Sequence, residues 1–260
     1  MSQARFRRAI VRLPGPNLAD GLTRVDLGKP SLGLALEQHR HYCEALRCCG
    51  LEIERLPADA RFPDGTFVED TAVLANGAAM LARPGAASRL GEVDAIRDAL
   101  RAYGLPIATI DAPGTLDGGD VCEAGDHVFI GISERTNMQG AEQLAEWLRG
   151  QGLSSTPVDI RTMTSILHLK SGLAWLGARR LLVIDELAGL PAFAGFDLVR
   201  VAPHEAYAAN AVCINDHVLI ASGHPQLAAE LAALRLDTIA LDMSEFARLD
   251  GGLSCLSLRF

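Results

Sequence analysis

A thiol, an imidazole and a carboxylate together can attack an electron-poor carbon, and this chain carries all three at related spacings. The thiolate would be the nucleophile, the imidazole would move protons, and the carboxylate would hold a cation or orient the ring. Cys255 follows Asp250-Gly251-Gly252-Leu253-Ser254, where a flexible glycine pair permits close approach. His168 stands in Ile166-Leu167-His168-Leu169-Lys170, and Asp117 opens Asp117-Gly118-Gly119-Asp120. Each has a plainer reading when taken alone. A free cysteine is commonly core, a lone histidine in an apolar stretch is commonly interior, and Asp-Gly-Gly-Asp also suits a tight turn. Spacing separates the two readings: Asp117 to His168 is about one fifty-residue period and His168 to Cys255 roughly two.

A second constellation is acidic. Phe62-Pro63-Asp64-Gly65-Thr66-Phe67-Val68-Glu69-Asp70 sets three carboxylates among aromatic residues, which reads as a negative pocket for a cation. No metal is expected. No cysteine pair has the C-x-x-C spacing of a zinc site, and His39, His41 and Cys43 on one predicted helix lack further ligands nearby.

The elements that must hold these groups repeat. Four hairpins recur: Thr71 to Leu81 around Asn76-Gly77, Val121 to Ile130 around Gly125-Asp126, Leu173 to Ile184 around Gly177-Ala178, and Ala211 to Ile220 around Asn215-Asp216. Helical periodicity over 34–49, 92–103, 137–149 and 225–234 follows or precedes them. Gly50, Gly104 and Gly150 stand where a left-handed C-cap is needed. Strands are predicted over 51–56, 107–110, near 156–159 and over 238–241. The segment 185–199 is the least regular. A closing strand over 253–258 is expected to join the N-terminal strand 9–12 in a fifth unit. The reading is an α/β fold: one domain over 1–260, a five-unit pseudo-symmetric propeller of strand-strand-helix-strand repeats. Polar residues cluster before the first strand of each hairpin, at Glu69-Asp70, 117–120, 168–170, 207–210 and Ser254-Cys255, and a propeller would converge them at one end.

Composition sets the limits. The 260 residues are 49% hydrophobic and carry a net charge of −8, which argues against nucleic-acid or membrane-surface partners. No stretch is long enough to span a bilayer, and the N-terminal run from Met1 is too short for a signal sequence. Six cysteines, three of them crowded onto one predicted helix, read as reduced thiols. The expected location is cytoplasmic.

These residues, in their order, resemble the dimethylarginine dimethylaminohydrolases, within the pentein or amidinotransferase superfamily. The likeness runs from Leu18-Ala19-Asp20-Gly21-Leu22-Thr23 to the C-terminus. It includes Arg61-Phe62-Pro63-Asp64, Phe67-Val68-Glu69-Asp70, Ala82-Arg83-Pro84-Gly85, Arg89, Leu116-Asp117-Gly118-Gly119-Asp120, Arg135-Thr136-Asn137, Leu167-His168-Leu169-Lys170 and Ser254-Cys255. The resemblance implies a hydrolase that turns Nω-methylated arginine into citrulline and an alkylamine through a covalent cysteine thiouronium, with no cofactor. It implies Cys255 as nucleophile, His168 as acid and base, and Asp117 as a guanidinium partner. Asp70 would be a second such partner, with Glu69 as support. Leu22, Asp64, Arg89, Arg135 and the backbone of Leu249 would grip the amino-acid end. Arginine or agmatine deiminase, amidinotransferase, and a non-catalytic pentein-fold binding protein are the alternatives. The expected partner is the small-molecule substrate, with a homodimer left open. A lid over 20–29, hinged at Gly21, Gly28 and Gly33, is a further expectation.

Overall fold

The computed structural model describes residues 5–24 and 26–260. The first four residues of the N-terminal run, and Val25 within the expected lid, lie outside the described residues. Asn76 and Gly77 take φ of 47° and 78°, the left-handed pair a two-residue hairpin needs, and Ala75 pairs with Ala78 across them. That hairpin joins β3 (Ala72–Ala75) to β4 (Ala78–Leu81), numbering strands in chain order. The helix α2 (Val93–Ala102) then returns the chain so that β5 (Ile107–Thr109) pairs parallel with β4.

The same unit recurs. β6 (Val121–Ala124), β7 (His127–Ile132), α3 (Met138–Gly150) and β8 (Ser154–Asp159) form the second sheet. β9 (Leu173–Trp175), β10 (Arg180–Val183), the short α4 (Asp185–Ala188) and β11 (Asp197–Arg200) form the third. β12 (Val212–Ile214), β13 (His217–Ala221), α5 (Pro225–Ala233) and β14 (Asp237–Leu241) form the fourth. The fifth is split between the chain ends: β15 (Leu258–Arg259) pairs antiparallel with β1 (Arg8–Arg12), which pairs parallel with β2 (Glu52–Leu56) after α1 (Leu32–Cys48). Each sheet has three strands in an open order, with the hairpin's second strand central. Central strands are covered on both faces, so β4 and the later residues of β7, β10 and β13 are buried without alternation.

Two local expectations are corrected. The closing strand is only Leu258–Arg259, because Ser254–Leu256 instead form a 3₁₀ turn. Helix α3 runs through Gly150, and Gly152 is the glycine at positive φ. Among the described residues no helix is long and apolar enough to cross a membrane.

Helix α1 buries one stripe that includes Ala35, His39, Tyr42, Cys43 and Leu46, at the three- and four-residue spacing of a single helical face. His39 is 1% exposed and its Nε2 has no hydrogen-bond partner, while Nδ1 lies 3.7 Å from Cys43 Sγ. Burial, reinforced by Arg55, lowers its pKa to about 4. The unfolded chain therefore binds the proton first. The stability His39 contributes as a neutral ring is complete above about pH 6.5 and is lost as pH falls toward and through 4, by about 3 kcal/mol. Thermal melts at about pH 7 and pH 4.5 should show a steeper acid loss for the wild type than for His39→Gln; equal losses would refute this account.

Candidate active site

A 3₁₀ turn precedes the first strand of every sheet: Val68–Thr71, Gly118–Asp120, Leu169–Ser171, Pro203–Ala209 and Ser254–Leu256. The turn at 68–71 packs on those at 118–120 and 254–256; 169–171 packs on 118–120 and 203–209. Asp117 and His168 are the residues that open their turns, while Asp70 and Cys255 lie inside theirs. Repeat-equivalent points thus meet, as the spacing implied.

Close packing needs the glycines here. A Cβ on Gly119 would stand 2.7 Å from His168 Nδ1 and 2.8 Å from Asp70 Oδ1. The pair before Cys255 is likewise packed: a Cβ on Gly251 would strike the Phe67 ring, and one on Gly252 the Asn210 amide. Gly251 and Gly252 are buried, so they permit tight contact and do not act as a flexible lead-in.

His168 Nε2 lies 3.1 Å from Asp117 Oδ2. The other oxygen of Asp117 accepts the Gly85 N–H at 2.8 Å, and Arg135 Nη1 stands 3.9 Å from Oδ2. Asp70 accepts the Gly119 N–H at 2.9 Å and Arg89 Nη1 at 2.5 Å. Arg89 also bonds both oxygens of Glu92 and the carbonyls of Phe67 and Asp64. These bonds leave at most one of its five N–H groups for a ligand. Asp64 accepts the Leu22 N–H at 3.0 Å. Leu22, Asp64, Asp70, Arg89, Arg135, His168, Leu249 and Cys255 line one small pocket, with Phe67 and Leu167 as apolar wall. Asp117 and Glu69 do not line it.

Burial opposes charge on His168, but Asp70, Asp120 and Asp117 outweigh it and push its pKa up to about 9. Burial also opposes ionisation of Asp70, yet His168 and Arg89 hold it at about 2. The Cys255 thiol, 8% exposed, is pushed up to about 12 by burial and then by the charges of Glu69 and Asp70, against one weak bond from the Gly252 N–H at 3.4 Å. At neutral pH the site therefore pairs a neutral thiol with an imidazolium. Added positive charge would favour the thiolate. Asp70, Asp117 and His168 each offer a donor atom, all within 4.8 Å of one another. His168 is already paired with Asp117, and Asp70 with Arg89, so these donor atoms are engaged within the protein.

Of the residues that fix the turns, sequence reasoning named Glu69 as a support but assigned no role to Lys170, Asn210 or Arg259. Glu69 Oε1 takes Lys170 Nζ at 2.7 Å and Arg259 Nη2 at 2.8 Å, and Arg259 Nη1 donates to the carbonyls of Ser254 and Ser257. Asn210 donates to Lys170 O and Ser254 Oγ and accepts the Ser254 N–H at 2.9 Å, bridging the turns of His168 and Cys255. The polar cluster at 207–210 was the only signal for Asn210; Arg259 lay on a short strand and gave none. The expected lid segment is tied down: besides the Leu22 bond to Asp64, the Arg24 N–H donates to Asp250 Oδ2 at 2.5 Å, Arg24 Nη1 to Ile166 O, and Arg248 to Leu27 O. Gly28 has φ of 77°, whereas Gly21 is packed against Asp64.

Comparisons with known proteins bear on the fold and the family. A protein-family model described as arginine deiminase matches residues 103–189. A solved N-terminal domain of ArgZ, a cyanobacterial arginine dihydrolase, superposes with a TM-score of 0.84 at 18% identity, covering 98% of this chain and 97% of that one. The two share one α/β fold. The N(G),N(G)-dimethylarginine dimethylaminohydrolase of Pseudomonas aeruginosa is 42% identical over 98% of this chain and 100% of its own length. That of Streptomyces coelicolor is 36% identical over 97% and 96%. A cysteine-to-serine variant of the Pseudomonas aeruginosa protein complexed with citrulline superposes with a TM-score of 0.95, covering 99% of this chain and 100% of that chain. The chain belongs to the dimethylarginine dimethylaminohydrolase family.

Proposed function

We propose that the chain hydrolyses Nω-methylated arginine to citrulline and an alkylamine, with Cys255 as nucleophile and His168 as acid and base. The observation that carries this is a thiol sharing a small acidic pocket with an imidazole braced by a carboxylate. The substrate guanidinium lies against Asp70, while Asp117, buried behind His168, braces the imidazole. Arg135 and the remaining N–H of Arg89 meet the α-carboxylate, while Asp64 and the backbones of Leu22 and Leu249 meet the amino group. The cation's charge offsets the acids that raise the thiol, whose proton leaves to solvent. Sγ then bonds to the guanidinium carbon. The imidazolium of His168 gives its proton to the alkylated nitrogen, the C–N bond breaks, and a thiouronium remains. Neutral His168 next takes a proton from water. Hydroxide adds to the carbon, the C–S bond breaks, and citrulline leaves.

The five sheets are proposed to be blades of one propeller domain over 1–260. Packing of β15 on β3, of β6 on β9 and of β9 on β12 supports this arrangement. The six free thiols support a cytoplasmic location.

Release of citrulline and amine is measured from asymmetric dimethylarginine, monomethylarginine, arginine and agmatine. Dimethylamine with citrulline is the expected result. Ammonia from arginine or agmatine, without turnover of the methylated forms, would move the protein to the deiminases.

A further inference from the structure

We propose that Asp120 is a positioning residue for His168, holding its turn through the backbone and supplying a buried negative charge against the imidazolium. Asp117 and Asp120 flank one glycine pair and act from two sides, the first on the ring and the second on the chain that carries it. Asp120 is wholly buried. Its Oδ1 accepts the N–H of Leu169, the residue after His168, at 2.9 Å, and its Oδ2 accepts Ser133 Oγ at 2.6 Å. The Thr136 side chain bonds Asp120 as well, and all three partners are neutral. The Gly131 backbone closes over the pair: a Cβ there would stand 2.8 Å from Asp120 Oδ1 and 2.9 Å from Leu169 Cβ. The Leu169 bond therefore fixes the backbone from which the His168 ring projects.

An amide in place of this carboxylate would keep the Leu169 bond but lose the Ser133 one, because Ser133 Oγ already accepts the Arg135 and Thr136 N–H groups and has only its proton to give. The charge has a use because burial raises the pKa of Asp120 while His168 opposes that rise. The other acids facing His168 are shared: Asp70 with Arg89 and Asp117 with Arg135. Titratable groups on the neighbouring elements face elsewhere. Glu69, Cys122 and Glu123 act on Lys170, Tyr207 on Cys255, and Glu205 caps α5 beside His204.

The proposal rests on His168 being the general acid, and its test reads the imidazole directly. The His168 titration is followed by nuclear magnetic resonance in the full chain, alongside the pH profile of kcat. Asp120→Asn keeps the shape and removes the charge; Asp120→Ser removes both and serves if the amide fails to fold; Ser133→Ala keeps the charge. Both Asp120 variants should lower the His168 midpoint by about one unit or more and move the alkaline limb of kcat down with it, while Ser133→Ala leaves the midpoint high. An unmoved midpoint in a folded Asp120 variant, or an equal fall in Ser133→Ala, overturns the proposal. A lowered midpoint without any shift of the kcat limb would instead count against His168 as the general acid.

Discussion

Replacing Cys255 by serine is expected to reduce citrulline formation by a factor on the order of 10⁴ or more, because no other thiol reaches the pocket. A hydroxyl is far less acidic than a thiol, and nothing in the site lowers its pKa enough to replace the sulfur. The acids around Cys255 make the point stronger, since they resist even a thiolate and push the thiol up to about 12. That resistance has its own signature. Iodoacetamide should alkylate Cys255 slowly at neutral pH, and a guanidinium ligand too small to block the thiol should speed the reaction as its charge offsets Asp70. Mass spectrometry after quenched turnover should find the substrate carbon on the wild-type chain and not on Cys255→Ser. Full turnover by the serine variant would refute the nucleophile assignment.

The repeat was legible because its signals are local. Asn76-Gly77 needs two left-handed residues, Gly50 and Gly104 end helices with positive φ, and central strands read as unbroken apolar runs. The site was legible because of the repeat: Asp117, His168 and Asp70 each stand at a turn just before a first strand, and counting periods brings them together. What failed was local in another way. Leu253 to Leu258 is apolar enough for a strand, yet Arg259 and Asn210 capture its carbonyl and amide groups and tighten Ser254–Leu256 into a turn. Both partners lie outside that segment, so no pattern within it could signal the change. Arg89 illustrates the same limit. An arginine near a pocket reads as a ligand grip, but Glu92 one helical turn on and Asp70 on the neighbouring turn take most of its donors. The glycines before Cys255 were read as freedom, and proved to be room for Phe67 and Asn210.

Asp117→Asn should have the next largest effect, lowering kcat by about 10³-fold or more while the protein stays folded. The fold should tolerate the change. An asparagine carbonyl oxygen still accepts the Gly85 N–H, and the Asp117 N–H still donates to Thr136 Oγ1. The damage falls on the other oxygen. An NH₂ group there would face His168 Nε2 at about hydrogen-bond distance, donor against donor, so the ring must shed the Nε2 proton to accept the bond. The protein then loses its acid for the departing amine. Because Asp117 does not line the pocket, the loss falls on proton transfer, and kcat should fall while KM changes little. Asp117→Glu tests the geometry of the contact. The longer arm keeps the charge but overreaches the 3.1 Å contact, so kcat should recover only in part. A change in kcat of less than tenfold for Asp117→Asn would mean that His168 does not depend on this carboxylate, and the proton-transfer scheme would have to be rebuilt around Asp70.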